Sequence, residues 1–274
     1  MTSELSAQQT LNEALETDAR RDRTKGDLFV AVLRLAIVAL VILAWHFGTE
    51  WGWLDAFFVS TPLEVVEFLV EFFGTGLIWP HLGTTVKEIF MGFAVGSLTG
   101  VLAGMLLSRF VTLRRIVGPL LTGINSLPRV ALAPLFILWF GIGSASKVWL
   151  SISLVFFIVM ISTEAGLNNV DKEYQVMGRV MGASERQVFT KVLMPGAMLN
   201  IFAGLKLGMV YSILAVVFGQ MLAARNGLGQ QLSFYAGTFR AEGVIGTLLV
   251  LGAFAMAINS GMELLERRLT RWQR

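Results

Sequence analysis

Residues 85–107 read TVKEIFMGFAVGSLTGVLAGMLL, and this stretch decides the fold class. Beyond Lys87 and Glu88 it holds no charge, and it is long enough for a helix to cross the hydrocarbon layer of a bilayer, which takes about 20 apolar residues. Gly92, Gly96, Gly100 and Gly104 recur every fourth position and form one smooth stripe on that helix. Small residues at this spacing let backbones approach closely in lipid. Helix packing is the first reading of the stripe, and a substrate-facing groove is the second.

Working outward, five further apolar runs share the pattern. They cover about Leu28 to Phe47, Val117 to Phe140, Val148 to Gly166, Ile201 to Leu222 and Val244 to Leu265. Arg34 lies close enough to the start of the first run to snorkel. The whole chain of 274 residues is 55% hydrophobic and 15% charged, against about 25% charged for a soluble globular chain. Its mean hydropathy is +0.67. The expected class is an all-α membrane protein with six transmembrane helices. Residues 1–27 are read as a polar cytoplasmic tail, either loose or interfacial or a helix that docks on a partner. Residues 28–274 are read as one transmembrane domain, with its main cytoplasmic loop at about 167–195.

Basic residues set the orientation. Arg20, Arg21, Arg23 and Lys25 precede the first run, and Arg109, Arg114 and Arg115 separate the second from the third. Lys172, Arg179, Arg186 and Lys191 lie between the fourth and fifth, and Arg267, Arg268, Arg271 and Arg274 follow the sixth. Six spans place all four groups on one side, so both termini are expected in the cytoplasm of a multi-pass membrane protein. A net charge of +3 then marks topology rather than nucleic-acid binding. The segment from Gly48 to Pro80 has no Lys or Arg and suits the external side. Within it, Thr61-Pro62 reads as a helix start, with Val65, Val66, Leu69, Val70 and Phe73 at helical spacing. This is expected to be a short amphipathic helix on the outer membrane surface.

The chain has no cysteine and only two histidines, His46 and His81, far apart and without a carboxylate cluster. Thiolate chemistry is excluded, and no metal site is expected. The span interiors read as free of carboxylates, with Glu88, Glu263 and Glu266 placed near span ends. A stand-alone proton-coupled carrier usually needs buried carboxylates, and an intramembrane enzyme needs a catalytic set inside the spans. Neither pattern is present. No Gly-x-x-x-x-Gly-Lys-[Ser/Thr] phosphate loop occurs, so energy from ATP would have to come through another chain. Copurification with an ATPase separates these classes.

The third run is punctuated by Gly123, Pro128, Pro134, Gly141 and Gly143. Proline removes a donor and kinks a helix, and freed carbonyls in lipid need protein or a water-filled path. The interruption is either a pathway element or a kink that serves packing. Asn125, Ser126 and Arg129 around the break are the candidate path residues, with Tyr211, Ser212 and Gln220 on the fifth run. Arg129 suits a planar anion, or else it satisfies freed carbonyls or snorkels. Lys206 is close enough to the cytoplasmic end of its span to snorkel and stays outside the path.

Between the fourth and fifth runs, Asp171 reads as the N-cap of a short helix through Met181. Gly182-Ala183-Ser184 breaks it. Ser184 then caps a second helix with Gln187 three residues on, carrying Val188, Phe189 and Val192 on one face and ending before Pro195. Here the sequence resembles the permease subunits of ATP-binding-cassette importers, in the subfamily serving nitrate, taurine and alkanesulfonates. Their cytoplasmic signature is Glu-Ala-Ala, three variable residues, then Gly, and later a Leu-Pro-like end. Gly182-Ala183-Ser184 and Val192-Leu193-Met194-Pro195 match it, while Val176-Met177-Gly178 stands where Glu-Ala-Ala is expected. Ser126-Leu127-Pro128, the run from Pro134 to Gly143, Ala203-Gly204-Leu205-Lys206, Gly227-Leu228-Gly229 and the run from Leu264 to Arg268 extend the similarity over roughly Pro62 to Trp272.

The resemblance implies the type I ABC importer permease fold and a homodimer, or a pair of similar permeases, around a central path. It implies two ATP-binding subunits and an external substrate-binding protein as partners, beside membrane lipid. No cofactor is expected on this chain, ATP and Mg being held by the partner ATPase. The loop becomes the coupling element, with Glu173, Tyr174, Met177, Gly178, Arg179, Gly182, Ala183 and Ser184 as its candidate contacts. The implied cargo is a small anion such as a sulfonate, nitrate or carboxylate. A neutral or cationic vitamin precursor is the alternative within the subfamily.

Overall fold

Helix after helix follows from the apolar runs, in a computed structural model that describes residues 29–269. The N-terminal tail expected at 1–27 lies outside them. Among the described residues there is no strand. The chain falls into two compact units, one ending at Val65 and one starting at Val66.

In the first unit, α1 (Phe29–Glu50) is a single long apolar helix. The turn after it carries Trp51 and Trp53, whose rings are 5.3 Å apart. Asp55 accepts the Phe57 N–H at 2.9 Å and caps the short α2 (Ala56–Val59). The start of α3 (Pro62–Gly74) is fastened by a reciprocal pair: Glu64 Oε2 accepts from the Thr61 N–H, and Thr61 Oγ1 accepts from the Glu64 N–H. This is the capping-box arrangement, and the helix start expected at Thr61-Pro62 is present.

The second unit contains the remaining elements: α4 (Ile78–Arg109), α5 (Val111–Asn125), a 3-10 turn (Arg129–Leu132), α6 (Ala133–Phe140), α7 (Ser144–Asn168), α8 (Lys172–Val180), α9 (Glu185–Val188), a π turn (Phe189–Leu193), α10 (Met194–Leu222), α11 (Leu228–Gly237) and α12 (Ala241–Leu269). Five helical stretches are long and apolar enough to cross a membrane. The pair α5 and α6, bent by 78° across the break at Ser126-Leu127-Pro128, gives a sixth when it is counted as one span. The break expected at Pro128 is therefore present, in a helical pair that begins at Val111 rather than Val117.

The helix α7 is the centre of the unit. The glycine stripe of α4 lies against it: a methyl added at Gly100 would come 2.7 Å from the Phe156 carbonyl oxygen, and one at Gly104 would come 2.7 Å from that of Met160. Gly204 and Gly208 of α10 meet Ser162 and Val159 on another side of α7. The stripe is a packing surface, as its spacing suggested first. A second cluster joins Phe68 and Phe72 of α3, Leu228, Leu232 and Tyr235 of α11 and Leu251 of α12. The packed face of α3 beyond Val65 is thus Phe68, Leu69 and Phe72, while Val66, Val70 and Phe73 are exposed. The helix α11 has no counterpart among the expected spans. It has ten residues and is too short to cross.

Two expectations need correction. The helix after Gly182 does not end before Pro195 but runs continuously from Glu185 to Leu222. The π turn shifts the hydrogen-bond register just ahead of Pro195, and Pro195 occupies the first positions of the regular helix that follows, where a missing N–H is tolerated. The second correction concerns Glu88, which is only 2% exposed. Because α4 starts at Ile78, seven residues before the expected start at Thr85, this carboxylate lies about 15 Å along the helix at 1.5 Å per residue and is buried among helices rather than left at a loop edge.

Candidate functional site

The loop between α7 and α10 is built by two terminators. Met181 closes α8, and Gly182 then takes a left-handed backbone with φ +81°. The Gly182 N–H donates to the Arg179 carbonyl and the Ala183 N–H to the Gly178 carbonyl, both at 3.0 Å. This crossed pair is the Schellman arrangement, which satisfies carbonyls left open at a helix end and prefers glycine at the left-handed position. Ser184 starts the next helix: its N–H donates to Gln187 Oε1 at 2.7 Å, and its Oγ accepts from the Gln187 N–H at 3.4 Å. The expected capping box is formed. Asp171 occupies the N-cap position of α8 without a side-chain hydrogen bond.

Those two ends fold α8 back on the following helix. Val188, only 1% exposed, lies beneath Gly178, where an added methyl would be 3.5 Å from Val188 Cγ2. Gly178 is thus a packing position within the expected contact set. Arg179 Nε pairs with Glu185 Oε1 at 2.8 Å across the Gly182 turn. The outer surface carries Glu173, Tyr174 and Met177, together with Val176, Val180 and Met181. Val180 and Met181 are 82% and 78% exposed. Exposed apolar patches of this kind mark surfaces that meet a protein or a membrane. The sequence reading missed Val176, Val180 and Met181, although their apolar character beside a glycine terminator was the available signal.

At the break in the third span, Arg129 Nη2 donates to Asn125 Oδ1 at 2.6 Å, and Nη1 donates to the Ser153 carbonyl of α7 at 3.0 Å. The guanidinium carbon lies 4.7 Å from the centre of the Phe157 ring. Asn125 and Arg129 are therefore brought together, half-buried. Ser126 is exposed and donates its hydroxyl to the Thr122 carbonyl.

The fifth-span candidates divide. Tyr211 is exposed. Ser212 is fully buried, 2.8 Å from Ser151 Oγ, and donates to the Ile89 carbonyl at 2.9 Å. Gln220 is buried in a network that closes the start of α11. Its Nε2 donates to Glu88 Oε2 at 2.7 Å, and its Oε1 accepts from the Gly229 N–H at 3.0 Å. Thr85 Oγ1 accepts from the Leu228 N–H at 2.9 Å, and His81 Nδ1 from the Gly227 N–H at 3.0 Å. The first N–H groups of a helix have no partner in their own ladder, and α4 and α10 supply them here.

Nearby, the buried Lys147 ammonium donates to the carbonyls of Ile142, Gly143 and Ala223. Its three donors are thus spent on the segment after α6 and the end of α10. Lys206, left outside the path, pairs with Glu266 of α12. Lys147 and Glu88 escaped the sequence reading because each was counted at a span edge.

A family model described as "Binding-protein-dependent transport system inner membrane component" matches residues 96–271. The taurine transport system permease protein TauC of Escherichia coli is 29% identical over 246 residues, covering 88% of this chain and 89% of that protein. The formylaminopyrimidine transport permease protein ThiX of Halalkalibacterium halodurans is 28% identical over 218 residues, covering 80% of this chain and 87% of its own. Among solved structures, a chain of the inward-facing MetNI methionine ABC transporter superposes with a TM-score of 0.57 at 22% identity. It covers 70% of this chain and 94% of that one.

Proposed function

The chain belongs to the family of binding-protein-dependent transport system inner membrane components, which are permease subunits of ABC importers, and from that premise we propose that it forms the path for a small anion. Sulfonate, nitrate and carboxylate are the candidate cargo groups. The observation that carries this reading is Arg129, a half-buried guanidinium at the broken span with Asn125 as its side-chain partner. An arginine inside a span costs at least ~2.5 kcal/mol on insertion scales and usually marks a pathway or a polar partner. Part of its hydrogen-bonding capacity goes to the Ser153 carbonyl, which holds the group at the bend. Asn125, Ser126 and Tyr211 share the path, while Ser212 and Gln220 hold the wall behind it.

The path is completed by a second copy of this chain. An external binding protein delivers the solute, and two ATP-binding subunits hold ATP and Mg and drive the cycle. The loop from Asp171 to Ser184 lies in the cytoplasm with both termini and receives the push of those subunits through its exposed apolar patch. Relatives named for taurine and for a formylaminopyrimidine carry chemically different cargo, so a neutral or cationic heterocycle is the competing substrate class. Uptake by the complete reconstituted importer, offered alkanesulfonate, nitrate, carboxylate and pyrimidine solutes in turn, tests the assignment. Accumulation of an anion supports it. Uptake of the pyrimidine alone overturns it.

A further inference from the structure

A cleft of about 560 Å3 opens where the end of α4 meets α9 and the π turn. Its walls are Met105, Leu106, Phe110 and Phe189, and its rim carries Arg109 and Arg186. Among the described residues neither guanidinium has an ion pair or a hydrogen bond. Glu185 also reaches the rim, but its carboxylate is taken up by Arg179, with contacts of 2.8 and 3.3 Å.

We propose that this cleft binds one anionic phospholipid of the cytoplasmic leaflet, with the phosphodiester between Arg109 and Arg186 and the first part of an acyl chain against the apolar wall. The order of groups along α4 matches that of a phospholipid. Arg109 is the last residue of the helix, and Met105 lies about 6 Å deeper at 1.5 Å per residue. Charge therefore sits at the membrane surface and apolar side chains sit below it. Basic pockets between helices on the cytoplasmic side are suited to anionic headgroups, and arginine forks match phosphate oxygens. A soluble anion would leave the apolar wall uncovered, whereas a lipid covers it. The inference rests on the orientation given above and goes beyond it, because the two arginines stand on different elements. A bound phosphodiester would tie the second half of the coupling loop to the end of a membrane helix.

The test uses the complete importer in nanodiscs of mixed phosphatidylglycerol and phosphatidylcholine, with retained lipid counted by native mass spectrometry. The native chain keeps phosphatidylglycerol in preference to phosphatidylcholine. Arg109→Gln with Arg186→Gln weakens that retention by about fivefold per arginine, the effect of losing one basic contact with an anionic lipid surface. The corresponding pair of Lys substitutions keeps most of it. Leu106→Trp, which fills the cleft and leaves both arginines in place, also lowers retention, and it decides the matter if the Gln pair does not assemble. Equal retention in native and Leu106→Trp complexes overturns the site. So does displacement of the lipid by inorganic phosphate, which would mean a free-anion site. Protection of a cysteine at position 106 by the ATPase subunits instead of by lipid would make the cleft a protein contact and overturn it as well. ATP-driven uptake measured in the same preparations separates loss of this site from failure of the permease assignment.

Discussion

The amide of Ala183 donates to the carbonyl of Gly178 at 3.0 Å, closing α8 over a residue, Gly182, whose φ is +81°. This bond decides the direction in which the exposed face of α8 points. A left-handed backbone costs a non-glycine residue roughly 1–2 kcal/mol, with asparagine tolerating it best.

Replacing Gly182 should accordingly separate geometry from bulk. An added Cβ at this position meets nothing within 4 Å, so the penalty is conformational. Gly182→Asn is expected to keep near-native uptake per ATP hydrolysed. Gly182→Leu should assemble yet lose most of its coupled uptake, because the turn relaxes and α8 re-aims. Transport and ATPase rates of the reconstituted complex are the readout. Equal coupling ratios in the two variants would remove the turn from the account.

Arg129→Gln should reduce solute uptake roughly tenfold or more, the worth of one charge-assisted hydrogen bond. Arg129→Lys, which retains charge without the planar fork, should fall between the two. The measurement is initial uptake into vesicles by complexes whose assembly has been checked by size-exclusion chromatography. Unchanged uptake by an assembled Gln variant removes Arg129 from the path. A Gln complex that fails to assemble assigns the residue to the bonds with Ser153 and Asn125.

Gln220→Leu leaves the Gly229 N–H without its acceptor and takes from the Glu88 carboxylate one of its donors. An unmade buried hydrogen bond costs about 1–3 kcal/mol, so the purified permease should unfold at a clearly lower temperature. Glu88→Gln with Gln220 intact should be milder, since an amide oxygen can still accept from Gln220 Nε2. Thermal unfolding followed by tryptophan fluorescence compares them. A Gln220→Leu protein as stable as the native one would show that the start of α11 does not depend on this network.

Much of this architecture was legible because the bilayer writes its thickness into the sequence. The runs ending at Phe47, Leu107 and Gly166 needed only length and hydropathy, and Pro128 announced the bend. The glycine stripe announced a helix contact without naming α7 as the partner, since spacing carries no address. Boundaries failed where polar residues are buried by other helices. Trp79, Pro80 and His81 left the first turns of α4 outside the span expected from Thr85, yet His81 accepts from the Gly227 N–H at the start of α11, a contact distant in sequence. The same distance hid α11, whose ten residues are stabilised by Phe68 and Leu251 from elsewhere in the chain. The turns of the loop between α7 and α10 were legible at Gly182 and Ser184, because capping and glycine termination are local chemistry. Its continuation through Pro195 was not, since nothing in the sequence marks the π turn.

The central claim is that a separate ATPase pushes on the patch between Tyr174 and Met181. The chain has no native cysteine, so a single cysteine at Val180 can be cross-linked without background. In the complete importer, Val180→Cys is predicted to form a cross-link to the ATP-binding subunit whose yield changes between nucleotide-free and ATP-bound states. A cysteine at Trp53, in the segment assigned to the external side, is predicted to form none. Cross-linking from position 53 and none from position 180, in a complex that still takes up solute on ATP, would contradict both the orientation and the coupling role.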